Sequence, residues 1–497
     1  MVLYVATAKL LLHLFTAGQY GIFRDELYNL ACSQHLDWGG VDHPPLIDVV
    51  AWFARHVFGE SLLGLRFLPA LAGAGLVVLT GMLTREMGGG RFAQALSALA
   101  VFLVPTYLIT DHFLTINPFE PLVWMGCAWC VIRFINRSNP RYWLLFGILA
   151  GVGMETKYSI TVFILGMLIG ILCTGSWRIL RSPWIWLGVL SALALFLPNL
   201  VWQFQHGFPF VGFIHSVRTS GRDVVLPPLA FIGQQAMAQN PVLFPLWLAG
   251  LLWLLAGQRG RQYRILGVTF LAVFVTFLAL HGKDYYVAPA YPMLFAAGSI
   301  VFEDLTALRW RAARVGYLSI LVAFTLLVAP YVVPLLPVEA FIRYQDALGF
   351  RASDSEHQPN GLLPQYYADE FGWENMVRVT AKAFDQLSPG DRAKADIFAN
   401  SWGQAAAIDF FGPRYGLPRA VCNHASYWLW GPGHFSGAVT LVLGSDGTGD
   451  REHFRSVEPV GVVDSPHSRL DEHFTIWLCR DLKFDPRDRW AQMRRWD

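Results

Sequence analysis

Acidic residues gather directly after the first apolar segment of this chain, where few other residues are polar. Asp25 and Glu26 stand in the stretch RDELYNL, and Asp42 and His43 follow in DHPPL. Carboxylates are costly inside a bilayer, so this group is expected at a water-facing surface. A carboxylate there can remove a proton from a hydroxyl as a general base. The alternative is that Asp25 and Glu26 only stabilise the start of a helix, where acids are favoured.

A second acidic position favours the catalytic interpretation. Asp111 lies in the stretch TDHFLTINPFE, far along the chain from the first group but again at the end of an apolar segment. Two carboxylates that converge from separate loops suit a reaction in which a hydroxyl loses its proton.

Cations at the ends of apolar segments predict an anion site. Arg66 stands one turn into the second apolar segment, Lys157 lies in METKYS, and Lys283 lies in HGKDYY. Each cation alone is explained by a side chain that reaches water from a helix end. Together with Tyr285 and Tyr286, they suit the phosphate oxygens of a lipid whose tail lies in the bilayer.

Histidines give a weaker indication of a metal site. His43, His112, His206 and His215 all lie outside the apolar segments, and no HxxxH-type spacing appears among them. Histidines at a membrane edge are commonly plain polar residues. A divalent ion held by Asp42 or His43, with a histidine such as His206 from a later loop, is left open.

The composition predicts a polytopic α-helical membrane protein. The 497 residues are 54% hydrophobic and only 15% charged, with a mean hydropathy of +0.39, whereas a soluble domain carries about 25% charged residues. The formal net charge of +2 gives no indication of a nucleic-acid partner. We predict eleven membrane helices, at residues 3–18, 62–84, 92–110, 116–135, 142–153, 159–174, 184–204, 241–256, 265–280, 287–302 and 315–336.

The distribution of arginines predicts the orientation. Arginines concentrate in alternate short loops, which are therefore assigned to the cytoplasmic side, together with the N-terminus. The loop with Asp25 and the chain after residue 337 then lie outside the cytoplasmic membrane. We expect two interfacial helices in that loop, at 25–35 and 45–58. The apolar N-terminus is interpreted as the first membrane helix, and its short length leaves an upstream start open.

From about residue 338 the composition changes and predicts a second domain. A transmembrane domain, 1–337, is followed by a small α/β domain, 338–497. Strands are predicted at 395–398, 439–443 and 474–478, with a helix at 402–411. Cys422 and Cys479 lie in this domain and are candidates for a disulfide in an oxidising compartment.

The order of these motifs resembles a known family of bacterial membrane glycosyltransferases. This chain has Asp-Glu after a short first helix, HPPL, LRFLPAL, an Asp after the third helix, TKYS, and KDYY followed by APAYP. Together these motifs are similar to the dolichyl-phosphate-mannose protein mannosyltransferase-like group, which is related to the lipid A aminoarabinose transferases. The resemblance covers roughly residues 18–300 and implies the fold called GT-C. GQAAAIDFFG and SYWLWGPG look like the extracytoplasmic domain of many bacterial members.

The resemblance also implies roles for the candidate residues. Asp25 is implied as the catalytic base, with Glu26 beside it and Asp111 as a second essential acid. The implied contacts to the donor phosphate are Lys157, Lys283, Tyr285, Tyr286 and Arg66, and the implied contacts to substrate are His43 and His112. His43 departs from the pattern, because relatives have a lysine before the two prolines.

The implied activity is transfer of one sugar, with inversion, from a polyprenyl-phosphate donor to an envelope acceptor at the outer face of the cytoplasmic membrane. The acceptor class, whether lipid A or lipopolysaccharide core, another glycan or a protein, stays open. A ligase that uses a diphosphate-linked oligosaccharide would share the fold. A transporter or flippase for lipid-linked sugars would require charges at mid-bilayer and symmetry between halves, and neither is evident in the sequence.

Overall fold

The chain folds as a bundle of apolar helices with a five-stranded sheet near its C-terminus. The computed structural model describes residues 1–221, 223–307, 311–350 and 361–496. The first nine α-helices are α1 Val2–Thr16, α2 Arg24–Cys32, α3 Leu46–Phe58, α4 Leu62–Glu86, α5 Arg91–Phe102, α6 Pro105–Thr110, α7 Phe119–Arg137, α8 Tyr142–Thr156 and α9 Ile160–Cys173.

Seven further helices complete the apolar bundle. They are α10 Pro183–Gln205, α11 Pro209–Ser220, α12 Pro228–Ala238, α13 Phe244–Ala256, α14 Arg264–Ala279, α15 Tyr291–Thr306 and α16 Arg311–Val332. Short 3-10 helices lie between several of them, at Trp177–Arg181, Pro241–Leu243, Gly260–Tyr263 and Asp284–Ala290. Residues 206–240, which lie between two of the predicted membrane helices, are largely helical, because they contain α11 and α12.

The length and composition of these helices are those of a multi-pass membrane protein, as predicted. In the described part of the chain, five helices are long and apolar enough to cross a membrane. They are Leu62–Glu86, Pro183–Gln205, Gly260–Ala279, Asp284–Thr306 and Ala312–Val332. The pair Pro228–Ala238 and Pro241–Ala256, bent by 96°, passes the same test as one broken span.

Each of the eleven predicted segments contains a helix, but several are shorter or broken. The segment predicted at 92–110 is divided into α5 and α6, because Pro105 cannot continue the hydrogen-bond ladder of α5. The segment predicted at 287–302 begins as the 3-10 helix Asp284–Ala290 and becomes α-helical at Tyr291. These breaks place irregular backbone next to the candidate site residues.

The C-terminal residues form a mixed sheet with helices around it. The helices are α17 Val338–Leu348, α18 Gln365–Ala368, α19 Trp373–Asp385, α20 Pro389–Arg392, α21 Trp402–Phe411, α22 Ser426–Leu429, α23 Thr448–His453 and α24 Pro486–Arg489. The strands are β1 Ala395–Ala399, β2 Ala420–Cys422, β3 Val439–Leu443, β4 Phe454–Val463 and β5 Phe474–Leu482. The three predicted strands are present, whereas β2 and β4 were not predicted.

The strand order is β2-β1-β3-β5-β4. β1 is parallel to both β2 and β3, and β5 is antiparallel to both β3 and β4. Cys422 on β2 and Cys479 on β5 are three strands apart, or roughly 14 Å at ordinary strand spacing. A disulfide needs Cα atoms within about 7 Å, and both thiols are free in this structure. The sheet order therefore separates the proposed pair.

The sheet domain packs directly on the first loop of the bundle. One hydrophobic cluster joins Leu27 and Leu30 of α2 to Trp373 of α19 and Ile408 of α21. The face of α3 that turns away from this cluster exposes Val49, Trp52, Phe53 and Val57, as suits an interfacial helix. The C-terminal domain and the α2–α3 loop therefore share one face of the molecule.

Candidate active site

The neighbours Asp25 and Glu26 point in different directions. Both lie in the first turn of α2, where the helix dipole favours acids. Glu26 is fully buried, and its Oε2 atom accepts a hydrogen bond from the Phe23 amide at 2.9 Å, which caps the helix. The side chain of Asp25 is 42% exposed, with the Arg24 guanidinium 3.7 Å away. Of the two acids, Asp25 is accessible to a substrate.

Arg66 is enclosed by the protein. Its Nε and Nη2 atoms donate to the two carboxylate oxygens of Glu26 at 3.0 and 2.8 Å. Further bonds reach Glu370 at 3.1 Å and the backbone oxygens of Ala17 and Gly21 at 2.7 and 2.9 Å. The arginine predicted to contact the donor phosphate thus directs its guanidinium at the protein, because it donates hydrogen bonds to two buried acidic side chains.

His112 completes this buried cluster. Its Nε2 atom lies 3.1 Å from Nη1 of Arg66, and burial, followed by the charge of Arg66, holds the pKa of His112 well below its ordinary value. The imidazole is therefore neutral and accepts the hydrogen bond from arginine. This contact replaces the predicted contact with substrate, because the ring is buried beside Arg66.

Asp111 is also buried in a contact within the protein. Its Oδ2 atom lies 2.7 Å from Nζ of Lys9 on α1, and both side chains are buried. Gly73 on α4 makes room for this carboxylate, since a Cβ atom there would lie 2.2 Å from Oδ2. The second predicted catalytic acid therefore lies in a buried ion pair, which differs from the predicted convergence of two accessible acids.

Lys157 lies among the residues predicted to surround a phosphate. Its ammonium donates to Glu120 at 2.9 Å and to Asn117 at 3.1 Å. The same Nζ atom lies 4.8 Å from the ring centre of Tyr286 and 5.5 Å from that of Tyr285. Two of its three N–H groups are thus used, while its side chain stays partly exposed. The structure therefore brings this lysine together with both predicted tyrosines.

The remaining candidates extend this group. Lys283 forms an ion pair with Asp223 at 3.0 Å. Tyr285 lies within electrostatic reach of both Asp223 and Asp25. The two lysines and the two tyrosines therefore lie close together, and Asp25 is within electrostatic reach of Tyr285, although α2, the end of α8 and the start of Asp284–Ala290 carry these residues.

His43 is held between two carboxylates. Its Nδ1 atom lies 3.1 Å from Asp42, and its Nε2 atom lies 2.9 Å from Asp48 at the start of α3. Burial alone would lower the pKa of His43, but Asp48 and Asp42 together raise it well above its ordinary value. Both ring nitrogens face protein atoms, so this geometry differs from a direct substrate contact.

His206 lies at the C-terminal end of α10. Its Nδ1 atom bonds the carbonyl of Trp202 at 2.9 Å, and its ring stacks on that indole. Within the described residues, the group of side chains with metal-competent spacing is Cys32, His43 and Asp48. Neither His206 nor Asp42 is a member of that group.

Several partners were not predicted from the sequence, namely Lys9, Asp48, Asn117, Glu120, Asp223 and Glu370. Lys9 carries the clearest sequence signal, because a lone cation inside an apolar helix needs a buried partner or a route to water. Glu370 has no such signal, since it comes from the C-terminal domain and reaches Arg66 only in the folded chain.

Comparisons with known proteins agree with this architecture. Residues 42–202 match the family model described as dolichyl-phosphate-mannose-protein mannosyltransferase. The crystal structure of ArnT from Cupriavidus metallidurans bound to undecaprenyl phosphate is similar, with a TM-score of 0.65 at 15% identity, over 96% of this chain and 97% of that chain. The chain has a GT-C fold. Both the predicted fold and the predicted resemblance to this family are confirmed.

The apo structure of the same ArnT gives a comparable result. Its TM-score is 0.63 at 16% identity, over 99% of this chain and 98% of that chain. No curated protein sequence matches the chain. At such low identity the likeness to ArnT establishes the shared fold, and residue roles have to be argued from this chain's own geometry.

Proposed function

We propose that this GT-C protein is an inverting glycosyltransferase that moves one sugar from a polyprenyl-phosphate donor to an envelope acceptor. The observation that carries the proposal is the position of Asp25. It is the exposed member of the three predicted catalytic acids, and it lies within electrostatic reach of Tyr285, whose ring centre is 5.5 Å from Nζ of Lys157. A candidate base and a candidate phosphate site thus interact electrostatically through Tyr285.

The cationic and phenolic groups suit a phosphate as the leaving group. When the bond between the sugar C1 and the phosphate oxygen breaks, negative charge develops on that oxygen. The ammonium groups of Lys157 and Lys283 and the hydroxyls of Tyr285 and Tyr286 can donate hydrogen bonds to it. Donors held ready where charge develops stabilise the transition state more than the ground state.

Asp25 supplies the complementary half of the reaction. Its carboxylate accepts the proton of an acceptor hydroxyl as the hydroxyl oxygen bonds to C1 from the side opposite to the leaving phosphate. The phosphate departs with the bonding electron pair, so one displacement inverts the anomeric centre. General-base assistance of this kind contributes about 10²–10⁴-fold.

The buried acids have a different role in this proposal. Glu26, with Arg66 and His112, fixes the N-terminus of α2 and thereby the direction of Asp25. Asp111 joins the loop after α6 to α1 through Lys9. We assign both acids to positioning, because neither carboxylate is exposed.

A monophosphate-linked donor is favoured over a diphosphate-linked oligosaccharide. The ArnT structure with the same fold was solved with undecaprenyl phosphate bound. We place the reaction at the outer face of the cytoplasmic membrane, as the arginine distribution predicts. The acceptor is an envelope glycolipid, another glycan or a protein.

The test has two parts. Purified protein is incubated with undecaprenyl-phosphate sugars and, separately, with undecaprenyl-diphosphate sugars, and product is followed by mass spectrometry. Envelope glycolipids and proteins from cells with and without the chain are then compared. Transfer from the monophosphate donor and an envelope mass difference of one sugar support the proposal. Transfer only from the diphosphate donor, or lipid-linked sugar movement without any transfer, overturns it.

A further inference from the structure

A second cluster of reactive side chains joins the end of α2, the α2–α3 loop and the start of α3, and it takes no part in the proposed transfer. It consists of Cys32 at the end of α2, His43 in the loop and Asp48 at the start of α3. We propose that these three residues bind a zinc ion that fastens α2 to α3. The proposal uses residues other than Asp25 and the proposed phosphate site, and it does not depend on the proposed function.

The ligand atoms are already gathered. The Cys32 sulfur, one ring nitrogen of His43 and one oxygen of Asp48 lie within 4.8 Å of one another, and all three residues are buried. Zinc binds these three atom types at about 2.0–2.3 Å, in tetrahedral geometry. Tetrahedral ligands at such distances are roughly 3.3–3.8 Å apart. Small shifts of the trio therefore enclose an ion, with the Nε2–Asp48 separation of 2.9 Å widening slightly and water as the fourth ligand.

The surroundings of His43 match those of a metal-bound histidine. Metal-ligating histidines commonly donate their second ring N–H to a carboxylate, which sets the direction of the first nitrogen. Here Nδ1 lies 3.1 Å from Asp42. Nε2 is thereby directed at Asp48, 2.9 Å away. Asp42 thus orients the ring, and Asp48 is a second ligand of the proposed ion.

Asp42 is itself held in place. Its Oδ1 atom accepts a hydrogen bond from Tyr28 at 2.9 Å, and the Tyr28 oxygen accepts one from the Ser426 amide at 3.1 Å. A partly buried chain of contacts therefore runs from the C-terminal domain to the ligand ring. Such support is expected for a metal site, where outer contacts change affinity by about 10–100-fold.

The same cluster also has an explanation without a metal ion. In that alternative, Asp42, His43 and Asp48 form a hydrogen-bonded triad, and the Cys32 thiol is only a packing group.

Metal content separates these two explanations. The full-length protein is purified in detergent, dialysed against a weak chelator and analysed for zinc by mass spectrometry. We expect about one zinc per chain, lost in Cys32→Ser and in Asp48→Asn, and retained in the control Cys173→Ser on α9. A zinc content that is negligible in the wild type, or equal in Cys32→Ser, overturns the proposal.

Cobalt substitution identifies the ligands in the folded protein. Co²⁺ bound to the wild type should give visible bands of a tetrahedral site and a thiolate-to-cobalt charge-transfer band. Cys32→Ser should lose the charge-transfer band, and Asp42→Asn should weaken Co²⁺ binding by about 10–100-fold. Only variants that elute as monodisperse protein with unchanged circular dichroism are compared. A charge-transfer band that survives in Cys32→Ser contradicts the assignment.

Discussion

At the scale of single residues, two adjacent acids have opposite surroundings. Successive helical residues project about 100° apart, so Glu26 faces Arg66 inside the protein while Asp25 faces solvent near Tyr285. Burial gives Glu26 a fixed geometry with no access to substrate. Exposure gives Asp25 that access. The direction of α2 thus decides which acid can act as a base.

Lys157 provides the first prediction at this scale. Lys157→Met removes a charged donor from the proposed phosphate site while it keeps much of the side-chain volume. A hydrogen bond to a charged group contributes about 1.5–3 kcal/mol, so kcat/KM for the lipid donor should fall about 10- to 100-fold. Steady-state transfer assays with varied donor concentration measure this change.

Lys157 also pairs with buried Glu120, so Lys157→Met affects stability as well as donor binding. A control is needed to separate these two effects. Lys157→Met/Glu120→Gln removes the charge that the single variant leaves unpaired, and it should recover stability without recovering donor use. Lys382→Met, at an exposed position on α19, serves as a neutral control. If the double variant regains wild-type kcat/KM, Lys157 is a structural residue.

Residue types and spacing predicted candidate residues at accessible positions but not the buried partners of the other candidates. Asp25, Lys157, Tyr285 and Tyr286 were predicted because polar groups at the ends of apolar segments must lie near water. The same rule placed Arg66 and Asp111 near water. In the structure, however, Arg66 pairs with Glu26 and Asp111 pairs with Lys9 inside the bundle. Pairing between distant segments depends on packing, which local spacing does not encode.

At the scale of elements, α4 connects the two buried clusters. Arg66 near its start holds α2 through Glu26, and Gly73 two turns further along adjoins Asp111. The absence of a side chain at Gly73 lets the loop after α6 approach α4. The same helix therefore sets the positions of both polar loops.

Gly73→Ala is predicted to destabilise the bundle. The new Cβ atom would lie 2.2 Å from Oδ2 of Asp111 and 3.0 Å from its Cβ, so the carboxylate must move away from Lys9. Overpacking of this kind costs about 1–3 kcal/mol, and the midpoint of thermal unfolding in detergent should fall.

Gly75 gives a matched control on the same helix. A Cβ atom there meets Leu122 at 3.4 Å, which is an ordinary contact. Gly75→Ala should therefore leave the midpoint nearly unchanged or raise it slightly, since alanine favours helix. Equal midpoints for both variants would show that Asp111 has room to move.

Helix breaks were harder to predict than helix existence. The apolar runs predicted a helix at each of eleven places. The division between α5 and α6 and the 96° bend between α12 and α13 depend on prolines and on contacts with neighbouring helices. Apolar composition measures how much of a segment is buried or faces lipid, and it carries little information about bends.

At the scale of the whole molecule, the C-terminal domain closes over the first loop. The Arg24 amide bonds the carbonyl of Asp369 at 3.0 Å, and the Arg24 guanidinium lies over the Trp402 ring at 4.8 Å. Glu370 extends further and reaches Arg66. The domain is therefore part of the support of α2, which composition alone could not indicate.

Glu370 makes this junction sensitive to pH. Burial, opposed by Arg66 and reinforced by Glu26, raises its pKa to about 8 from an ordinary value of 4.5. The folded chain thus holds the proton more tightly than the unfolded chain. The stabilisation is complete below pH 4.5 and is lost as the pH rises through about 8.

Glu370→Gln should remove this dependence, because glutamine resembles the protonated acid at every pH. We expect the thermal midpoint of the wild type to fall from about pH 5 to about pH 9, with a smaller fall in the variant. Glu374→Gln, an exposed acid on α19, should follow the wild type. Parallel profiles for wild type and Glu370→Gln would contradict the assignment.

The role of Asp25 as the base is tested most directly by the transfer rate of Asp25→Asn, measured with saturating polyprenyl-phosphate donor and acceptor. Asparagine keeps the shape of the side chain but cannot accept the hydroxyl proton, so kcat should fall about 10²–10⁴-fold. Asp37→Asn, an exposed acid in the same loop, should keep the wild-type rate. Wild-type kcat in a folded Asp25→Asn enzyme would contradict the account.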